Sequence, residues 1–436
     1  MADFPKKPKK VGNSGKVWSK GHFLERFDVT SLGGVQQDMR GQYGIIKYYE
    51  DITDPTIHVE ILVTDTNGIM EKLPIRSGSS VNLELSHESA KDPLKYDEKD
   101  EPLVVTNIMN HYADAKREAY ILICETKQGV SNHTSRVWEK HTDLISTTVE
   151  NILKKKLGVK GDRVYQVEPT KNNYKFCGNY RRPLKMISDL CRKSIPVSAD
   201  GTNPEKGTSG YFFYESQDGY NFLSVDTILK SKPVAKYIMT PSKEASNPKN
   251  NFTISSEPKW NESHDLMKKL RSGAFKTANY YFDLNTRLPE FTEFSYSESV
   301  KKVMAKSNDE EVIPKDFTDA RSRIILGVLD QGAMEPSNDG KSKDTPQAQA
   351  VFQAQSSARY SHLFSQTLET TVPMNLTLRV GQMLELEFPE INNEESKGTR
   401  NPNSGNYMIV KLAHEFGNPQ GDFTGLTLVR DTYKTK

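Results

Sequence analysis

The nine histidines are the first candidates for metal binding or acid–base chemistry. None lies in an HExxH pattern, and His133 and His141 are too far apart to be neighbouring ligands on one helical face. Asp65, Asn67 and Gly68 resemble the start of a calcium loop, but such a loop needs glycine at position six and glutamate at position twelve. We therefore interpret the histidines as single core or surface residues and predict no metal site.

Nucleophilic and phosphate-binding motifs are also absent from the sequence. There is no GxSxG, no Walker-type loop and no GxGxxG at a strand-to-helix junction. The acidic residues scatter over solvent faces, which does not favour the carboxylate pair of a glycosidase. Cys124, Cys177 and Cys191 have no CxxC spacing, which predicts neither disulfides nor zinc, and Cys124 in AYILICET should be a buried, inert thiol. We expect no catalytic residue, no cofactor and no enzymatic activity.

The stretch GYFFYESQDGYNFLS, residues 210–224, concentrates aromatic residues around an Asp-Gly pair. These rings could form a stacking platform for a single-stranded nucleic acid, or a hairpin packed into a core. The stretch contains no basic residue, whereas Glu215 and Asp218 are acidic. This favours a hairpin whose alternate aromatics pack under neighbouring helices. A single-stranded nucleic-acid-binding β-barrel is kept as the alternative function.

The composition places these residues in a polar chain of 436 residues, long enough for two to four domains. Net charge is only +2, which is too balanced to indicate a nucleic-acid binder from bulk electrostatics. No run approaches the ~18 apolar residues of a membrane span, and the N-terminus lacks the apolar region of a signal peptide. We expect a protein made in a reducing cytosol, without a membrane partner. Its first residues, including a lysine cluster at 6–10, should form a flexible tail.

Strand and helix patterns alternate along the chain. From residue 43 to 126 apolar and polar residues alternate, which is typical of antiparallel strands, and Asn67-Gly68 predicts a hairpin. Residues 134–158 have helical spacing that includes Val137 and His141, and a second helix should start at Pro183. A further helix is predicted from Pro346, after a Thr345 cap. Strands resume after it, the last two joined by a Gly-Asn-Pro turn, while 305–318 and 335–346 should be exposed loops.

Three stretches carry a family pattern. GIIKYYEDITDPTIHVEILVTDTNGIMEKLPIRSG resembles the first tube domain of the baseplate central hub proteins of contractile-tailed bacteriophages. The hairpin stretch and the C-terminal strands are similar to later parts of the same family. The matching positions are Tyr49, Glu50, Asp51, Pro55, Gly68, Leu73, Pro74, Gly78, Tyr214, Asp218, Gly219, Gly381, Pro389, Gly405, Tyr407, His414, Arg430 and Asp431.

The resemblance implies a fold and a division into domains. The fold class is mainly β with an α+β insertion: two antiparallel β-barrel tube domains, a smaller α/β domain and irregular loops. The expected segments are a flexible tail (1–25), a first tube barrel (26–130), the α+β insertion (131–232), a mixed segment with extended loops and a helix (233–370), and the closing strands of the second barrel (371–436).

The resemblance also implies a function. Such hubs are homotrimers whose six barrels surround a central channel, adapting the threefold spike to the sixfold tail tube and seeding tube assembly. The implied partners are further copies of the chain, the central spike and the tail tube, with the tape measure and baseplate wedge proteins as additional neighbours. The implied location is the virion tail baseplate, assembled in the host cytoplasm. Nucleic acid would only pass through the channel, and any cell-wall hydrolase activity would reside in the spike or another partner.

Overall fold

The N-terminal part of the chain forms the first half of a large β-sheet in the computed structural model. Its strands are β1 Phe23–Thr30, β2 Gln36–Asp38, β3 Tyr43–Asp51, β4 His58–Asp65, β5 Ser80–Ser86, β6 Leu94–Tyr96, β7 Leu103–Ala113 and β8 Glu118–Thr126. They pair antiparallel in the order β3-β4-β8-β7-β5-β1-β2, with β6 on β5. A short helix, α1 Ile69–Lys72, connects β4 to β5. Alternate residues of β4 are buried, as its period-2 pattern predicts.

The structure describes most of the residues of the chain. They are 21–98, 101–114, 117–197, 209–239, 253–263, 265–283, 287–297, 307–308, 317, 319, 321–329, 346–389 and 401–432. The first twenty residues of the predicted tail and residues 335–345 of the predicted loop 335–346 lie outside them. No helix in these ranges is both long and apolar enough to span a bilayer.

The middle of the chain is an α+β unit with a hydrophobic core of its own. Its elements are α2 Lys127–Thr134, β9 Lys140–His141, α3 Ile145–Lys156, β10 Val164–Val167, β11 Phe176–Cys177, α4 Pro183–Cys191, β12 Tyr211–Ser216, β13 Gly219–Ser224 and α5 Val225–Lys230. Helices α3 and α4 pack on the three-stranded sheet β10-β13-β12, and their apolar faces form its core. Helix α4 begins at Pro183 as predicted, since proline's missing N–H costs nothing in the first turn.

The C-terminal part supplies the second half of the large sheet and a separate small sheet. Its elements are β14 Ala235–Ile238, β15 Lys259–Ser263, α6 Leu266–Ser272, β16 Lys276–Asp283, β17 Pro289–Ser295, β18 Arg323–Leu329, α7 Pro346–Leu363, β19 Gln366–Pro373, β20 Met383–Glu387, β21 Gly405–Phe416 and β22 Phe423–Arg430. Strands β15, β19, β22 and β21 continue the large sheet, whereas β17, β16 and β18 form the small one. The predicted helix from Pro346 is confirmed, as is the antiparallel pair β21–β22.

The two β-rich regions are joined directly, because β21 pairs antiparallel with β3. The result is one 14-stranded sheet, and its two halves share one hydrophobic core. The prediction of a mainly β fold with an α+β insertion is confirmed. The resemblance implied two barrels, but the pairing of the described strands does not close into a ring. It instead runs as an open path from β15 to β2.

Three local predictions are wrong, and the first is the hairpin at Asn67-Gly68. Asn67-Gly68 does not turn a hairpin, since β4 pairs with β3 and β8 instead. The Asp65 carboxylate accepts bonds from the amides of Asn67 and Met70, both at 2.9 Å, and Gly68 at φ 64° leads into α1. The carboxylate satisfies these free amides, which favours a helical turn over a hairpin.

The helix predicted over 134–158 begins only at Ile145. Val137 forms a bridge to Arg181, and His141 pairs with Phe176 in the short sheet β9–β11. These two residues belong to an extended segment, and its pairing with residues 176–181 stabilises this conformation. Lys154, Lys155 and Lys156 fill the last turn of α3.

Part of the predicted loop 305–318 is buried. Ser307 and Asn308, its described residues at this end, bond to the end of the chain. The backbone N–H of Ser307 donates to the Asp431 carboxylate at 2.9 Å, and that of Asn308 to Thr432 at 2.9 Å. Polar composition predicted exposure here, but partners at the far end of the chain satisfy these groups.

The turn between β12 and β13 gives the first testable prediction. Gly219 has φ 128°, and a Cβ at this position would overlap the Arg163 carbonyl. We expect Gly219→Val to lower the free energy of unfolding by about 3 kcal/mol, through backbone strain and this overlap. The check is denaturant unfolding followed by circular dichroism.

Gly161→Val is the matched control, because no atom lies within 4 Å of its added Cβ. Equal stability of the Gly219 variant and the parent would show that the turn is wrongly assigned.

Candidate functional site

The hairpin β12–β13 is buried on both faces and lies between the two cores. Phe212 and Tyr214 belong to the core of the large sheet, whereas Tyr211 and Phe213 belong to the core of the insertion. On β13, Phe222 again faces the insertion core. The predicted hairpin is confirmed, with Gln217 and Asp218 as its turn residues. These aromatics offer no stacking surface, so the alternative nucleic-acid function has no site in this stretch.

A buried carboxylate holds the turn of this hairpin to the sheet. Glu50 on β3 accepts hydrogen bonds from the Tyr48 hydroxyl at 2.9 Å, the Gln217 amide at 2.7 Å and the Val380 amide at 3.0 Å. Burial raises the pKa of Glu50, and the guanidinium of Arg379 and these three donors oppose the rise. One side chain thus connects the front half of the sheet, the insertion and the back half.

A second carboxylate, Glu215 on β12, connects the same hairpin to three other segments of the chain. It accepts from the Thr126 hydroxyl at 2.8 Å, the Ile57 amide at 3.3 Å and the Arg163 guanidinium at 3.0 Å. Burial raises the pKa of Glu215 to about 7, although Arg163 favours the ionised form. Arg163 also donates to the Gln217 carbonyl at 2.7 Å, so the turn is held from both sides.

The loop before β20 completes this joint. Arg379 lies 3.4 Å from the Asp218 carboxylate and donates to the carbonyls of Leu376 and Leu378. Gly381 has φ 80°, and a Cβ there would overlap the Tyr214 hydroxyl. Glycine is therefore required both by its backbone conformation and by the close approach of a tyrosine.

Five positions of the family pattern meet at this joint. The ring of His414 stacks on Tyr48 at 5.9 Å, beside Glu50, and burial lowers its pKa well below the usual range. The five are Glu50, Tyr214, Asp218, Gly381 and His414. Their bonds are structural, and the described ranges contain no group of three or more metal-ligating side chains.

A second buried charge cluster lies at the end of β22. Arg430 donates to the carbonyls of Pro402 at 3.0 Å and Ser404 at 3.3 Å, and lies 4.7 Å over the ring of Tyr407. Asp431 faces Arg359 of α7 at 3.8 Å, and Arg359 bonds to Asp226 of α5 at 2.9 Å. This cluster ties the chain end to α7 and to the insertion.

The other positions of the family pattern contribute no side-chain bond to either cluster, although Gly219 is next to Asp218 and Gly405 is next to Ser404. Asp51 faces the outside of the sheet and pairs with Lys411 at 2.7 Å, and Tyr49, beside it, donates to Glu60 at 3.3 Å. The remainder lie in connections or at strand ends: Pro55, Gly68, Leu73, Pro74, Gly78, Gly219, Pro389 and Gly405.

Sequence reasoning missed the cations of the joint. Neither Arg163 nor Arg379 was predicted to matter. The signal that could have found this site is a single charge inside an apolar run, Arg379 in LTLRVG and Glu215 in YFFYES. Such a charge is buried only when a partner is supplied, so it signals an ion pair whose other member the sequence does not identify.

A candidate interface lies on the small sheet β17-β16-β18. Its outer face consists of two cross-strand rows, Phe291–Tyr280–Leu326 and Pro289–Phe282–Val328, with Ile324 as the preceding outward residue of β18. Leu326 is 78% exposed and Ile324 65%. At one end of this face, Glu293 pairs with Lys276 and Arg321. A contiguous apolar face of this kind is typical of a surface that another protein covers.

Comparison with known proteins bears on the fold alone. No known family's sequence profile matches this chain, and no curated protein matches it in sequence. A tail protein from Neisseria meningitidis MC58 has a similar structure, with a TM-score of 0.56 and 10% identity over 94% of this chain and 97% of that one. The 43 kDa tail protein of prophage MuSo2 from Shewanella oneidensis has a TM-score of 0.53 and 10% identity, over 94% of this chain and 100% of that one.

The prophage tail protein gp18 from Listeria monocytogenes EGD-e is also similar, with a TM-score of 0.51 and 10% identity over 94% of this chain and 95% of that one. Since identity is this low, the similarity concerns the course of the backbone and not individual side chains.

Glu215 gives a prediction for pH dependence. Its pKa in the folded protein, about 7, lies above the ordinary 4.5, so the folded state binds more protons than the unfolded state between these values. The free energy of unfolding should therefore fall as pH rises from 5 to 8, by up to about 3 kcal/mol from this group. In Glu215→Gln, which cannot ionise, the fall should be smaller, as measured by urea unfolding at several pH values.

Glu150→Gln is the control, since Glu150 lies exposed on α3 beside Lys154. Identical pH dependence in the parent and the Glu215 variant would contradict the assigned shift.

The structural similarity extends over 94% of this chain. The structure therefore has the fold of phage and prophage tail proteins, as the sequence resemblance implied.

Proposed function

We propose that this chain is the structural hub of a phage tail baseplate. In this proposal three copies form a ring around a central channel, which adapts the threefold spike to the sixfold tail tube and seeds tube assembly. The observation that carries it is the fold shared with phage and prophage tail proteins over 94% of the chain. The hub would belong to the virion tail and assemble in the host cytoplasm.

Two features of the single chain support self-association. The path of the large sheet ends at β15 on one side and β2 on the other, and such edges are normally covered. The apolar outer face of β16–β18 also favours a covering partner. We assign this face to contacts between copies, within an interface of the obligate class, above ~2,000 Å².

The proposal includes partners and a lack of enzymatic activity. The spike, the tail tube, the tape measure and the wedge proteins would be the neighbours of the ring. The buried ionisable groups described above are engaged in structural bonds, which supports a structural role. Turnover of purified peptidoglycan, lost on substitution of a carboxylate, would overturn the non-enzymatic part.

The native mass tests the trimer. We expect light scattering of the purified protein to give three times the chain mass, or to do so once the spike is added. Replacing both Leu326 and Tyr280 by lysine should shift the protein to monomer, because two charges would be buried in an apolar contact.

Leu32→Lys serves as the control, because Leu32 is an exposed apolar residue away from this face. A monomer at every concentration and salt, even with the spike present, would count against the hub. If the double lysine variant stays trimeric, the trimer proposal stands and only the assignment of the β16–β18 face to the contact between copies is wrong.

A further inference from the structure

The insertion carries an exposed aromatic and basic surface that the hub proposal does not use. It lies on the paired segments 137–141 and 174–181, and we call it the aromatic–basic surface. Trp138 is 61% exposed and Tyr180 73%. Val137 bridges to Arg181 and Lys140 pairs with Cys177, so Trp138 and Tyr180 lie close together on neighbouring segments.

A row of stacked rings lies on the same two segments. The ring centroids of His141 and Phe176 are 5.0 Å apart at 25°, and those of Phe176 and Tyr174 are 5.0 Å apart at 28°. The ammonium group of Lys193 lies 4.1 Å over the ring of Tyr174. Tyr174 and Phe176 pack against the insertion core and remain partly exposed.

The backbone that presents Tyr180 is strained. Asn179 and Tyr180 have φ of 51° and 55°, a conformation that a bulky residue rarely adopts. The preceding Gly178 lies so close to Val137 that a Cβ there would overlap its carbonyl. Burial of the Tyr180 ring does not repay this strain, because the side chain is mostly exposed. Strain kept without a gain in packing is typical of residues that serve binding.

The charge of the insertion is concentrated and positive. Residues 131–195 contain fourteen Lys and Arg against six Asp and Glu, a net charge of +8, whereas the rest of the chain has a net charge of −6. At the surface itself, Lys156 lies 5.6 Å over the ring of Trp138, and Arg136 and Lys140 are exposed. The near-neutral total therefore conceals a strongly basic unit.

We propose that the aromatic–basic surface binds single-stranded nucleic acid, stacking bases on Trp138 and Tyr180 while lysines and arginines contact phosphates. Exposed rings beside cations are what sequence-independent binding of a single strand requires. The concentration of lysines favours a phosphate polymer over a protein partner, because lysine, unlike tryptophan, tyrosine and arginine, is depleted at protein interfaces. The inference is independent of the hub, and differs from the expectation that nucleic acid only passes through the channel.

The test is fluorescence anisotropy of a labelled 20-nucleotide thymidine strand titrated with the full-length protein at several KCl concentrations. We expect a Kd of about 10 μM at 50 mM KCl, and this Kd should rise as the KCl concentration is raised. The double variant Trp138→Ala and Tyr180→Ala should bind at least about fivefold more weakly, since each loses a stacking contact. Arg136→Ala with Lys140→Ala should reduce the slope of log K against log salt by about 1.4, at about 0.7 for each lost phosphate contact.

The matched control is Tyr112→Ala with Lys236→Ala, an exposed ring and an exposed lysine elsewhere on the molecule, which should bind as the parent does. Unchanged melting curves will show that the surface variants are folded, and quenching of tryptophan fluorescence by the strand, lost in Trp138→Ala, gives a second readout. The proposal is overturned if the strand does not bind, if polyphosphate binds equally and the aromatic variant is unaffected, or if an acidic protein competes while polyphosphate does not.

Discussion

Both faces of the hairpin β12–β13 are buried, and this constraint determines how the rest of the chain is arranged. One face completes the core of the large sheet through Phe212 and Tyr214, and the other completes the core of the insertion. A strand buried on both sides cannot shift its register by one residue without exchanging the two sets of side chains. The hairpin thus fixes the insertion against the sheet, and neither core is complete without it.

The charges around the hairpin follow from the same burial. Glu50 and Glu215 lie in a region where an unpaired carboxylate would be costly, so each is surrounded by donors from distant parts of the chain. These bonds contribute little net stability compared with apolar packing of equal volume. Their effect is to select one arrangement of three segments, because any other arrangement leaves a buried ion without partners.

The rigid joint contrasts with the surfaces around it. The small sheet β16–β18 presents an apolar face to solvent, and the insertion presents exposed rings among lysines and arginines. We assign the first surface to contacts between copies of the chain and propose a phosphate polymer for the second, because one is apolar and the other concentrates positive charge. The joint, whose arrangement is fixed by buried ion pairs and hydrogen bonds, can hold both surfaces in defined positions.

The sequence by itself determined the character of the local elements. Period-2 alternation indicated the strands, Pro183 the start of α4, and the Asp-Gly pair the hairpin with its glycine at positive φ. These features depend on residues within one or two turns of each other, so neighbouring side chains suffice to specify them. The family resemblance added the fold of tail proteins, which no local pattern contains.

Only the tertiary structure decided which segments meet. It placed β21 beside β3, turned Val137 from a predicted helix into an extended segment, and buried Ser307 beneath Asp431. It also brought Arg379 and Arg163 to the carboxylates of the joint. Each of these outcomes joins residues separated by tens to hundreds of positions. Local patterns do not encode them, because the choice depends on which pairing buries the most apolar surface while leaving no charge without a partner.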